Sequence, residues 1–492
     1  MTEKNIDRCI AAALFAAFAV LYLALPTRDL YWDGAGFALA VDHPRWFPGL
    51  LPNHPLYIGL GRAIHSLARH ILPGVTGLSV LQALNAVFGA ISVALFYLIS
   101  TDVISERLNS ALLAGFFGLC ATWWKFATDA SAYILPVLVM LLTVRYLLPT
   151  RSPRPALVAL LHTCAMLFHE LAVLFAAPAM IGLCLQCHGD RRRGARCVMA
   201  YVASAFALSS AGYFGCFHAA TGKAGIPDYV RWITYHTPDS NFSFDVTHNV
   251  WLTIRGTVRL LLGGRPGAFH SATAGHLAAA IGLSLAGMIV LRWRAPAGTF
   301  TGYAGTLPIL WSWILAYVAF LFFWLPQNTF YRLFYLPPLI LVAGVPLSRR
   351  ARTKAMYAVV ALLGAWNYAF FIQPHSELER NAAARSGLAM RSLWKRGTWL
   401  YMGSFDPDNW MVLCFNPQVS FKTLDRSKLA DTSAELQSLN RAGAEPWIDQ
   451  SGIDLLQSDP AGKQWLAEHT RTGFKHDYSD PTHRICFDRL FP

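Results

Sequence analysis

Residues 9–36 read CIAAALFAAFAVLYLALPTRDLYWDGAG. The run from Cys9 to Pro26 carries no charge, and about 20 apolar residues suffice to cross the hydrocarbon core of a bilayer. At Thr27-Arg28-Asp29 the composition turns polar, and Tyr31 and Trp32 follow, the aromatic types that settle at a membrane–water interface. The same alternation recurs along the chain. Apolar stretches near 9–26, 78–100, 109–124, 132–149, 156–170, 171–187, 198–218, 274–292, 306–326, 333–347 and 355–372 predict eleven spans. The first is read as an uncleaved anchor rather than a signal peptide, because its leading residues mix Glu3, Lys4, Asp7 and Arg8 and further apolar runs follow.

Composition agrees. Hydrophobic residues make up 54% of the 492 and charged residues 14%, against roughly 25% charged in a soluble domain. The net charge of +13 would suit nucleic acid if it were clustered on a soluble face, but it is not. Residues 1–372 hold 27 basic and 13 acidic residues, and residues 373–492 hold 14 and 15. The excess sits in short linkers: Arg151 and Arg154; Arg191, Arg192, Arg193 and Arg196; Arg292 and Arg294; Arg349, Arg350, Arg352 and Lys354. Basic loops mark the cytoplasmic side. Eleven crossings with the N-terminus inside put every one of these clusters there, so no nucleic-acid partner is expected.

The stretch 156–187 is long for one helix and short for two. Basic clusters on both sides require an even number of crossings, so two short helices should meet at His169-Glu170. Outside lie 27–77, 219–273 and the tail. In the first, Leu56, Leu60, Ile64, Leu67 and Ile71 recur at helical spacing with Arg62, His65 and Arg69 on another face, predicting an amphipathic helix along the membrane surface. The tail alternates helical stretches (376–394, 433–442) with strand-like ones (398–402, 410–415, 485–491). The fold class predicted is an all-α polytopic membrane protein of about 11 transmembrane helices, with a small C-terminal extracytoplasmic α/β domain. Its parts are a transmembrane domain, 1–372, and a soluble domain, 373–492. Cys414 and Cys486 both fall in the tail and are close enough in kind to pair or to stay free.

Carboxylates are scarce in 1–372, and ionisable groups at a bilayer are functional candidates by default. Asp33 stands just beyond the first span, between aromatic residues and Gly34-Ala35-Gly36; it either serves a reaction or starts a helix. His54 precedes proline and is therefore extended. Lys125, Asp129 and Tyr133 recur at four-residue spacing and would share a helix face if that helix began early; a plain ion pair is the alternative for the first two. His169-Glu170 is a further outer polar point. Tyr331-Arg332 closes a short outer turn from Gln327, and Arg332 has no acidic neighbour in sequence. Its guanidinium suits a phosphate; a headgroup anchor is the other reading.

One carboxylate base with several cations and many aromatics has a chemical logic. Sugar transfer from a lipid phosphate needs a base for the acceptor hydroxyl and positive charge for the departing phosphate. At these residues the sequence resembles the GT-C superfamily of membrane glycosyltransferases, in particular families related to protein O-mannosyltransferases and lipid A aminoarabinose transferases. The resemblance is carried by Tyr31-Trp32-Asp33-Gly34, by His54 to Tyr57, by Trp123-Trp124-Lys125 through Asp129 and Tyr133, by Phe168-His169-Glu170, and by Tyr331 through Pro337. It departs where relatives carry two close acidic residues in the first loop: Gly34 follows Asp33, and Asp42 is the next carboxylate.

The resemblance implies a polyprenyl-phosphate sugar as donor and inversion at the anomeric carbon. Asp33 would be catalytic, and His54, Lys125, Asp129, Tyr133, His169, Glu170, Tyr331 and Arg332 would contact substrate or phosphate. A divalent metal, if used, would be sought at Asp33 and Asp42. The implied setting is a bacterial inner membrane, with membrane lipid, the lipid-linked donor and an acceptor that is protein, lipid or polysaccharide as partners. A secondary transporter fits less well, since no internal repeat is evident. A ligase or transferase acting on another lipid-linked substrate is the remaining alternative.

Overall fold

In the computed structural model the described residues are 2–44, 51–104, 106–234, 242–264, 301–344, 353–378, 381–404, 407–479 and 484–492. They fall into two units, one of residues 1–26, 48–63 and 81–374, the other of 27–47, 64–80 and 375–492.

The first unit is helical. In chain order it holds α1 (Glu3–Ala24), most of α4 (Gly77–Ile104), α5 (Arg107–Leu119), α6 (Ala121–Ala127), α7 (Ile134–Leu147), α8 (Pro155–Phe168), α9 (Ala176–Leu185), α10 (Arg191–Thr221), α11 (Ile226–Ile233), α12 (Val246–Leu261), α13 (Thr301–Phe323), α14 (Leu336–Gly344) and α15 (Thr353–Asn367). A 3-10 segment, Glu170–Phe175, precedes α9 and another, Phe330–Tyr335, precedes α14. Among the described residues five helices have the length and apolarity to cross a membrane, within 3–24, 77–104, 191–221, 304–323 and 354–376. The chain is a multi-pass membrane protein. The number eleven is not fixed by these lengths. Expected span 109–124 is broken at Cys120 into α5 and α6, and 274–292 lies outside the described residues.

Local chemistry sets the breaks. Glu106 caps α5 by accepting from the Leu108 and Asn109 N–H groups, and Asp190 caps α10 through the Arg193 N–H at 3.0 Å. α10 ends at Gly222, whose φ of 69° is the left-handed stop that glycine takes without strain. The expected break at 169 is present: α8 stops at Phe168, and His169 caps the 3-10 segment by accepting from the Leu171 N–H. Away from water each freed backbone group needs a partner. Asn367 supplies several. Its Nδ2 donates to the carbonyls of Leu119 and Leu261, both at 2.8 Å, and its Oδ1 accepts from Gly263 N.

The second unit is built on a five-stranded sheet. Its strands are β1 (Trp399–Met402), β2 (Ser420–Thr423), β3 (Pro446–Asp449), β4 (Thr470–Asp477) and β5 (Cys486–Leu490), in the order β2-β1-β3-β5-β4. β1 pairs in parallel with β2 and β3, and β5 pairs antiparallel with β3 and β4. The helices are α16 (Gln373–Ser376), α17 (Ala382–Leu393), α18 (Pro407–Cys414), α19 (Leu429–Arg441), α20 (Gln450–Gln457) and α21 (Pro460–His469). Tyr401, Ile448, Cys486 and Leu490 pack on Leu436 of α19, Leu456 of α20 and Trp465 of α21. The opposite face presents Trp447 and Phe487 to Trp394, with ring centroids 6.3 and 5.1 Å away.

Expectation and structure differ at 410–415, which is helix rather than strand. The run Trp410 to Cys414 is buried on most sides, packed by α17 and by α2 (Trp32–Asp42), so it lacks the polar stripe that would have betrayed a helical period. Cys414 and Cys486 are both buried and are not joined in a disulfide. α2 is held to α18 by Trp32 and Trp410, 5.9 Å between centroids, and by Gly36, where a β-carbon would meet the Trp410 ring at 3.3 Å.

The amphipathic helix is present as α3 (Tyr57–Ile71): Tyr57, Ile58 and His65 are buried, while Leu67 and Ile71 are exposed beside Arg69 and His70. That suits a helix whose outer face meets lipid.

Candidate functional site

In the helical unit four distant segments converge on one aromatic cluster. Tyr133, which precedes α7, is buried with its ring 4.8 Å from Phe330, 5.3 Å from His169, 5.8 Å from Tyr331 and 6.4 Å from His54. His54 and His169 meet edge-on at 4.5 Å. His54 Nδ1 lies 3.3 Å from the Phe168 carbonyl, the carbonyl that the break after α8 leaves to be satisfied. His169 accepts the Leu171 N–H through Nδ1, so its proton sits on Nε2, and Nε2 is buried without a hydrogen-bond partner. The rings of Tyr331 and Phe334 close the cluster around it at 5.8 and 4.9 Å. Tyr331 in turn stacks on Trp324 at 5.1 Å.

Arg332 shares the 3-10 segment with Tyr331 and is 1% exposed. It is no headgroup anchor. Nη1 donates to Tyr335 Oη at 2.6 Å and Nη2 to the Pro326 carbonyl. Leu325, just before, holds a left-handed φ of 57°, a conformation that costs a non-glycine residue about 1–3 kcal/mol and gathers at functional sites. Among the described residues no carboxylate pairs with Arg332, and its Nε–H has no acceptor. α12 crosses close by: a β-carbon at Gly256 would come within 2.6 Å of Nε. A buried guanidinium met only by neutral dipoles carries a desolvation cost that an anion would offset.

Lys125 and Asp129 part company. α6 ends at Ala127, so the expected face shared by Lys125, Asp129 and Tyr133 does not form. Asp129 is fully buried with Oδ1 accepting from Ala130 N at 2.6 Å, and the turn around it is held by Asn85, whose Nδ2 donates to the carbonyls of Asp129 and Ser131, both at 2.7 Å. Lys125 is half-buried and makes no ion pair among the described residues. Its neighbour Phe126 joins the cluster through Phe330 and Tyr133. Glu170 is exposed, and its backbone N–H donates to the Asn53 carbonyl.

The fold is shared with ArnT from Cupriavidus metallidurans. The structure of that protein bound to undecaprenyl phosphate superposes with a TM-score of 0.59 at 11% identity, covering 98% of this chain and 97% of that one. Its apo state gives 0.60 at 12%, covering 97% of each. The likeness is one of fold and extends over nearly the whole chain. No family model and no curated protein matches the sequence.

Asp33 and Asp42 lie in the other unit. Asp33 occupies the first turn of α2, one residue inside its start, where the helix dipole favours a carboxylate. Asp42 ends the same helix, nine residues on; at 1.5 Å per residue the two are about 13 Å apart along the axis and cannot share one metal ion. Asp42 instead accepts the Gly77 N–H at 2.8 Å and lies 3.4 Å from His65. Burial pushes its carboxyl up to about 6, against the Gly77 hydrogen bond and the nearby His65 and Arg69. Among the described residues no group of three His, Cys, Asp or Glu gathers to hold a metal.

Sequence reasoning missed Trp324, Phe330, Phe334, Asn85 and Gly256. Asn85 had a signal, a lone amide inside the apolar run 78–100. The aromatics had none, since an aromatic in an apolar span is ordinary.

Proposed function

We propose that the protein is an integral-membrane glycosyltransferase, moving a monosaccharide from a polyprenyl-phosphate donor to an acceptor on the extracytoplasmic side. The observation that carries the reading is Arg332: a buried cation with no carboxylate partner among the described residues, in a fold shared with a protein whose structure was solved bound to undecaprenyl phosphate. Arg332 grips the donor phosphate, and Lys125, on a helix packed against the Arg332 segment, assists.

The donor tail has a seat in this reading. A recess lined wholly by apolar side chains, among them Leu113 of α5, Leu261 of α12, Ile340 of α14 and Val359 of α15, begins on α14 within two turns of Arg332. Leu261 stands five residues beyond Gly256, so α12 borders both the guanidinium and the recess. An isoprenoid chain would enter it from lipid rather than from water, so its gain there is van der Waals packing against the apolar walls.

In the reaction the acceptor hydroxyl attacks the anomeric carbon and its proton passes to Asp33. The bond from that carbon to the phosphate oxygen breaks, and the electron pair leaves with the polyprenyl phosphate, whose charge Arg332 meets. His54, Tyr133, His169 and Tyr331 hold the sugar and the phosphate between aromatic faces and ring N–H groups, with Asp129 and Glu170 at the edge of that site. No step is routed through a metal. The setting is the inner membrane of a bacterium, with eleven spans, the N-terminus cytoplasmic and the tail outside.

Incubation of the purified protein with labelled polyprenyl-phosphate monosaccharides and membrane extract as acceptor tests this. Wild type should release polyprenyl phosphate and label the acceptor, and Asp33→Asn should lose roughly 10²–10⁴-fold in rate with normal folding, as for a removed general base. More than half of wild-type turnover in the Asn variant would reduce Asp33 to a first-turn helix residue.

A further inference from the structure

In the α/β unit the chain leaves two neighbouring parallel strands in opposite directions. β1 leads into α18, which packs with α17 on the face of Trp447 and Phe487; β3 leads into α20, on the face of Ile448 and Cys486. A crevice at the carboxyl ends of strands where the connections diverge is where open α/β sheets take ligands. A recess of about 160 Å³ lies there in this protein, smaller than the roughly 300–1,000 Å³ of drug-sized sites.

Its base is a fixed polar knot. Ser451 donates to the Asp449 carboxylate at 2.7 Å and accepts from the backbone N–H groups of Gly403 and Ser404 at 3.0 and 3.2 Å. Gly403 has no room for a side chain against the Ser451 backbone, so the two strand-end loops are locked together. Around the knot the lining carries Asn409, Gln450, Asp454 and Arg484, with Phe487 and Val412 as apolar walls.

We propose that this recess binds a hydroxyl-rich sugar residue. Two carboxylates face one guanidinium, and that guanidinium is already 3.9 Å from Asp454, which makes the recess poor for phosphate or carboxylate ligands. Amide and carboxylate groups in one place, with Gln450 Nε2 donating to Asp454 Oδ1 at 2.8 Å, match vicinal hydroxyls, each of which donates and accepts. Phe487 and Val412 suit the C–H face of a pyranose. None of this depends on Asp33 or Arg332.

The test is saturation-transfer NMR on the full chain in lipid nanodiscs with glucose, galactose, mannose and N-acetylglucosamine, and with inorganic phosphate as competitor. Gln450→Leu and Asp454→Leu alter the rim and leave the Asp449–Ser451 knot intact; thermal unfolding checks that both fold. The expected result is binding of at least one sugar, weakened roughly tenfold in each variant, as for a lost hydrogen bond to a charged or amide group, and indifferent to phosphate. Absence of binding to all four sugars, binding undiminished in both variants, or displacement by phosphate would each overturn the proposal.

Discussion

Arg332 is the residue on which the functional reading turns, because its charge is buried and, among the described residues, its Nε–H has no acceptor. Lysine keeps the charge but not the planar fork. Arg332→Lys and Arg332→Ala should both weaken transfer at limiting donor, alanine more, by roughly ten- to a hundredfold for a charged hydrogen bond. Full activity in the lysine variant would remove support for the phosphate role. Gly256 offers a second approach to the same group without touching it chemically. A β-carbon there would crowd Nε, so Gly256→Ala should raise the KM for donor while leaving the fold intact. An unchanged KM would mean that the guanidinium has room to shift and that its observed position does not matter.

At the scale of elements, α2 and α3 are joined through one carboxyl. Asp42 at the end of α2 meets Gly77 and lies beside His65 of α3, and its second oxygen is buried without a partner. Burial raises its pKa from 3.8 to about 6. The fold thus favours the protonated acid. Its contribution to stability is complete below about pH 4 and is lost as the pH rises through about 6. Asp42→Asn retains an acceptor for Gly77 and carries no charge, so it should unfold at higher temperature than wild type at pH 8. The gap, on the order of 2–3 kcal/mol for a shift of about two units, should close toward pH 4. A gap of the same size at both pH values would show that charge is not its origin.

At the scale of the molecule, the proposed eleven crossings put residue 190, at the start of α10, and residue 430, in α19, on opposite sides of the membrane. Asp190→Cys and Ala430→Cys, each in a background without other reactive thiols, should label from opposite sides with an impermeant maleimide. Labelling of both from outside would break the map.

The sequence alone determined what is additive along the chain. Burying apolar surface scales with the residues present, so the membrane class, the long apolar helices such as α1, α4 and α13, and the break at His169 could be read from local runs. Arg332 could be singled out for the same reason, as a charge with no acidic neighbour. What the sequence left undecided depends on pairs far apart in the chain. The strand at 410–415 proved to be helix because its surroundings, not its own residues, bury it on most sides. β2, β3 and β4 were not recognised: β2 and β3 are four residues long each, and all three gain their ladder hydrogen bonds from other strands, β2 from β1, β3 from β1 and β5, and β4 from β5. The cluster around His169 draws on residues near 54, 133, 169 and 331, and only packing brings those together. That Arg332 is buried against Gly256, with no carboxylate beside it among the described residues, was likewise decided by tertiary structure, because desolvation is a property of everything that surrounds a charge and not of its place in the sequence.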